Sequence, residues 1–187
     1  MTRSKFLIKS ATLPNAKKSD IAIDNGVITA MGQDLYLSDA VFVDASASIV
    51  LPGLVDLHTH LREPGREDAE TVLSGSRAGA KGGFTALSAM PNTSPVADTA
   101  GVVEQVYRLG QEAGLLDVFP IGAVTQGLKG EALSEIGAMA DSVARVRVFS
   151  DDGNCVFDPL VMRRALEYIK KIWWSHSSTC ARSPDDH

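Results

Sequence analysis

The sequence predicts an α/β protein in which a small β unit precedes a parallel sheet built from repeated β–α units. Three observations carry this expectation. Residues 5–53 alternate apolar and polar positions between turn signals. From residue 54 onward, short apolar runs and amphipathic segments alternate four times in succession. Polar motifs then recur at the end of the apolar run in three of those four units.

Taken in order, KFLIKSATL and IAIDNGVITAMG read as strands, with Asp24-Asn25-Gly26 as a turn between two half-strands. AVFVDASASIVLPG follows, closed by Pro52-Gly53, and the simplest expectation for residues 1–51 is a small antiparallel β unit. LVDLHTHL then reads as a strand and AETVLSGSRAGAKGG as a helix ending at Gly82-Gly83. FTALSAMPN and TAGVVEQVYRLGQEAG form the second strand–helix pair, LDVFPIGAVT and ALSEIGAMADSV the third. ARVRVFSDDG and DPLVMRRALEYIKK form the fourth. Asp98-Thr99 and Asp158-Pro159 stand where helix N-caps belong, the proline at the first helical position. Residues 52–171 are thus expected to form four consecutive β–α units, and residues 172–187 a tail of different character.

Bulk properties bound the function. A chain of 187 residues, 44% hydrophobic and 22% charged, can bury one ordinary core. A net charge of −5 without basic runs offers no general attraction to nucleic acid or to an anionic membrane. No stretch reads as a signal peptide or a membrane span. Two cysteines, Cys155 and Cys180, make no disulfide framework, which fits a reducing cytoplasm.

The polar motifs are His58, His60 and Arg62 at the end of the first strand of the parallel series, Met90-Pro91-Asn92 at the second, and Ser150-Asp151-Asp152-Gly153 at the fourth. In a (β/α)8 barrel the carboxyl ends of the strands converge on one face, where such barrels place their chemistry. Residues i and i+2 of a strand share a side, so His58 and His60 can aim both imidazoles at one point, a pairing suited to zinc and similar ions. Arg62, two further along, offers a fork that suits a carboxylate. A carboxylate from Asp151-Asp152 can bridge two metal ions. Asn92 offers an amide that both donates and accepts. Each residue alone has an ordinary alternative: a hydrogen-bonded histidine pair, a surface ion pair, a cap or turn, a turn residue after Pro91.

Together, LPGLVDLHTHLREPG, GGFTALSAMPNTSPVAD and FSDDGNCV resemble dihydroorotases of the amidohydrolase superfamily, in the branch that bridges its metals with an aspartate. The likeness spans residues 5–171. It implies a (β/α)8 barrel with a β domain assembled from both chain ends. The implied reaction is the zinc-dependent, reversible interconversion of N-carbamoyl-L-aspartate and L-dihydroorotate in pyrimidine synthesis. On this resemblance His58 and His60 bind the more buried of two zinc ions and Asp152, rather than Asp151, bridges them. Arg62 and Asn92 grip the substrate carboxylate. Other cyclic amidohydrolases, such as dihydropyrimidinases and allantoinases, usually bridge with a carboxylated lysine, where FSDDG supplies aspartate. A homodimer and aspartate carbamoyltransferase are the protein partners the resemblance implies, the latter for chains that serve as scaffolds.

The sequence departs from that pattern at its end. The family's second zinc site uses two later histidines, and a late aspartate serves as metal ligand and proton shuttle. In place of a fifth strand, residues 172–187 hold both tryptophans and two of the four histidines, His176 and His187. Lys171–Ser177 can be encoded so that its third-base frame spells Asp-Met-Val-Val-Ala-Gln. Thr179–His187 can be encoded so that its second-base frame spells His-Ala-Gln-Asp-Pro-Arg-Met-Thr. The family's fifth strand reads roughly apolar-apolar-x-Gln-His-Ala-x-Asp-Pro, so a frameshifted tail is expected, with little activity from these 187 residues alone.

Overall fold

The computed structural model describes residues 5–180, with residues 174–180 described by backbone alone. The chain divides into two compact units between Pro52 and Gly53.

The first unit is a four-stranded sheet in the order β3-β2-β1-β4. β1 (Lys5–Thr12) and β2 (Lys18–Asp24) are antiparallel, as are β2 and β3 (Val27–Gly32). Asn25 and Gly26 both take positive φ, +51° and +77°, the geometry of the tight hairpin turn that the Asn-Gly pair predicts. The expectation of an antiparallel unit fails at β4 (Val41–Asp44), which pairs parallel to β1. The link 33–40 carries the chain from β3 on one edge back to the starting end of β1 on the other side, so β4 enters in the same direction as β1. A register shift between Ile8 and Ala11 leaves Ser10 at φ +60°. The buried Asp20 carboxylate accepts from Lys9 Nζ and from the amides of Ser10 and Leu35, at 2.9 and 3.1 Å for the amides. The Lys9 hydrogen bond, then that of Ser10, holds this carboxyl below its ordinary range.

The second unit holds a parallel sheet, β5-β6-β7, made of Leu54–Thr59, Phe84–Ala89 and Asp117–Pro120. Helix α1 (Val72–Lys81) joins β5 to β6 and α2 (Ala100–Ala113) joins β6 to β7. α1 begins later than its apolar pattern, because Thr71 and Ser74 close a reciprocal capping box: Ser74 N donates to Thr71 Oγ1 at 3.0 Å and Thr71 N to Ser74 Oγ at 2.9 Å. Leu61, Val72, Leu87, Ala89, Val106 and Val118 form one core cluster between the helices and the sheet. Gly110 lets α2 lie against β7, since a Cβ there would stand 2.5 Å from Val118 Cβ.

The fourth strand–helix unit departs from expectation. Residues 144–153 make a single parallel bridge, Phe149 to Gly122, in place of a strand. Gly122 N donates to Val148 O and Ser150 N to Gly122 O, at 3.1 and 2.9 Å. Extending that ladder backward would require an N–H from Pro120, which has none. Arg145, at φ +47°, also leaves the extended conformation. The third helix is shorter than its sequence pattern, α3 being Ile136–Asp141, because Ala132 to Ser134 fold back along Val124 to Gln126. Asp158 caps α4 as expected, its Oδ1 accepting from Leu160 N at 2.7 Å. α4 runs Pro159–Cys180, past the expected end at Lys171. The anticipated tail therefore starts inside a helix; residues 181–187, with His187, and the side chain of His176 lie outside the described residues.

Candidate metal centre

The two histidines sit where β5 ends. β5 is locked to β6 by the Thr59–Ala89 pairing, by Thr59 Oγ1 donating to Ser88 O at 2.9 Å, and by Met90 N donating to Thr59 O at 2.9 Å. That registration places His60 beside the loop that follows β6. His60 Nδ1 lies 3.0 Å from Asn92 Oδ1. An amide oxygen only accepts, so in this arrangement Nδ1 is the donor to Asn92. The His58 and His60 rings stand 5.2 Å apart, edge to face.

Asp152 arrives from the 144–153 segment, which lies beyond β7. Three strand spacings of about 4.8 Å would put that segment roughly 14 Å from β5 on a flat sheet. Yet Asp152 Oδ1 is 3.2 Å from His58 Nε2 and its Oδ2 is 3.7 Å from His60 Nδ1. The side chains of segments three strand positions apart thus meet at one point. One ligand atom from each of His58, His60 and Asp152 falls within 4.8 Å of the others. Two imidazole nitrogens and a carboxylate oxygen are a donor set that fits a divalent ion such as zinc.

The neighbouring carboxylate is committed elsewhere. Asp151 is buried, its Oδ1 accepting from the amides of Val124 and Thr125 at 2.8 and 3.0 Å and its Oδ2 from the Thr125 hydroxyl. Asp152, and not Asp151, therefore faces the histidines. His60 already follows the last residue of β5, and Arg62 lies further outside the strand at φ +61°. Arg62 is half-buried, and its guanidinium has no ion pair among the described residues. Sequence reasoning missed Thr125, whose hydroxyl accepts from Gly130 N at 2.9 Å while donating to Asp151. No spacing rule marks a threonine in that role, because its partner lies 26 residues away.

The fold is shared with L-hydantoinase (dihydropyrimidinase) from Arthrobacter aurescens, at a TM-score of 0.72 over 90% of this chain and 39% of that one, with 22% identity. A D-hydantoinase from a Bacillus species matches with a TM-score of 0.64 over 90% of this chain and 38% of that one, at 21% identity. The family is shown by sequence. The dihydro-orotase-like family model matches residues 47–170. The dihydroorotase of Streptomyces coelicolor is 61% identical over 167 residues, 89% of this chain and 39% of the relative. That of Leifsonia xyli is 62% identical over 170 residues, 91% of this chain and 39% of the relative. The dihydroorotase of Mycobacterium tuberculosis is 56% identical over 153 residues, 81% of this chain and 36% of the relative. The chain belongs to the dihydro-orotase-like family, and it spans well under half the length of these relatives.

Proposed function

We propose that this chain contributes to a dihydroorotase, which interconverts N-carbamoyl-L-aspartate and L-dihydroorotate in the pyrimidine pathway of the cytoplasm. The observation that carries the reading is the meeting of His58, His60 and Asp152 in a chain of this family. On this reading those three residues hold zinc. Bound zinc supplies a Lewis acid for the ring amide carbonyl and lowers the pKa of water.

The chain's own groups do the rest. Asn92 Oδ1, 3.0 Å from His60 Nδ1, orients the His60 ring. The amide nitrogen of Asn92 and the guanidinium of Arg62, without an ion pair among the described residues, offer donors to the substrate carboxylate, the guanidinium in bidentate fashion. Residues 52–171 are on this reading the first four units of a (β/α)8 barrel, and residues 1–51 part of a composite β domain.

The test is zinc content and dihydroorotate turnover of the purified 187-residue chain, beside His58→Ala and Asp152→Ala. We expect zinc retained by the parent chain and lost from both variants, with turnover of the isolated chain near background. Zinc retained equally by all three would overturn the assignment of ligands. Ready turnover by the isolated chain would overturn the expectation of inactivity.

A further inference from the structure

We propose that Asp151 and Thr125 form a buried clamp that positions Asp152 against the two histidines; this rests on the metal-site reading and extends it to how one ligand is held. Asp151 is 6% exposed and pairs with no lysine, arginine or histidine among the described residues. Its negative charge is met by three hydrogen-bond donors, all from the loop after β7: the amides of Val124 and Thr125 and the Thr125 hydroxyl. The same hydroxyl oxygen accepts from Gly130 N at 2.9 Å, so the loop is drawn together around this one carboxylate.

The turn that carries Asp152 needs such a hold. Asp152 has φ +27°, a conformation that L side chains rarely adopt, and Gly153 follows at φ +80°. A strained residue persists where its surroundings over-determine it. Here Ser150 N is fixed to Gly122 O at 2.9 Å, Asp152 N donates to Ser150 Oγ at 3.1 Å, and Asn154 N donates to Asp151 O at 3.1 Å. The Asp151 side chain ties this turn to Val124 and Thr125. Asp152 Oδ1 then reaches His58 Nε2 at 3.2 Å. A site held by one hydrogen-bond length tolerates little drift of the turn, so Asp151 and Thr125 act on the metal through position and not by contact.

The test uses the 187-residue chain and its Thr125→Val, Thr125→Ser, Asp151→Ala and Asp152→Ala variants. Two readouts are taken: nitrogen-15 spectra of the histidine rings without metal, and cobalt(II) affinity by titration calorimetry. Thr125→Val keeps the side chain's shape and removes its hydroxyl, so it decides the matter even if Asp151→Ala does not fold. We expect Thr125→Val to move the His58 and His60 ring resonances toward those of Asp152→Ala and to leave the amide resonances of α1 unmoved. Cobalt affinity falls on the order of 10–100-fold, and Thr125→Ser restores both readouts. Parent-like ring resonances in Thr125→Val overturn the clamp. A parent chain that binds no cobalt overturns the metal reading instead, and the metal-free ring spectra still decide the clamp.

Discussion

β5 and β6 are parallel neighbours of six residues each, and the structure treats them differently. In β6, Ala86, Leu87 and Ala89 are buried, whereas in β5 Leu54, Val55 and Leu57 remain 49%, 55% and 74% exposed. Both sequences are apolar enough for a strand covered on both faces. The difference is in their neighbours. β6 lies between β5 and β7, with α1 against it, while β5 pairs among the described strands with β6 alone. The more exposed strand is the one that leads into His58 and His60. Burial is a property of the neighbourhood a strand finds.

That contrast can be broken or sharpened by substitution. The largest effect is expected at Leu87, in the cluster with Val106 and Val118: Leu87→Ala should lower the unfolding free energy by about 2–5 kcal/mol, read from urea denaturation. Gly110→Ala comes next. Its added methyl meets Val118, so the packing of α2 on the strand beside β6 should weaken by about 1–3 kcal/mol in the same assay. The smallest effect is expected on β5 itself, where Leu57→Ala should stay within about 0.5 kcal/mol of the parent. A Leu57→Ala loss as large as that of Leu87→Ala would show that another surface covers β5 in solution.

Much of the fold was legible because local rules governed it. Asn25-Gly26 makes a hairpin turn wherever two strands flank it, and Asp158-Pro159 starts a helix by capping and fixed φ. The elements that escaped the sequence reading depend on distant partners. β4 runs parallel because of where its link returns it, and the 144–153 segment pairs only once because its neighbour strand ends in Pro120. α3 is short because Ala132 to Ser134 hydrogen-bond to Val124 and Gln126.

The same division runs through the candidate site. His58 and His60 are two residues apart and their rings come together at the end of β5, and the motif with Arg62, Asn92 and the Asp151-Asp152 pair was enough to point to the family. Adjacent aspartates look alike to any local rule. The family resemblance singled out Asp152; only the tertiary structure decided what each carboxylate meets, Asp151 turning to Val124 and Thr125, donors 27 and 26 residues away, while Asp152 crosses to His58. Spacing along a strand is short-range geometry, which a sequence carries in full; the pairing of a carboxylate with distant donors exists only once the chain has folded around it.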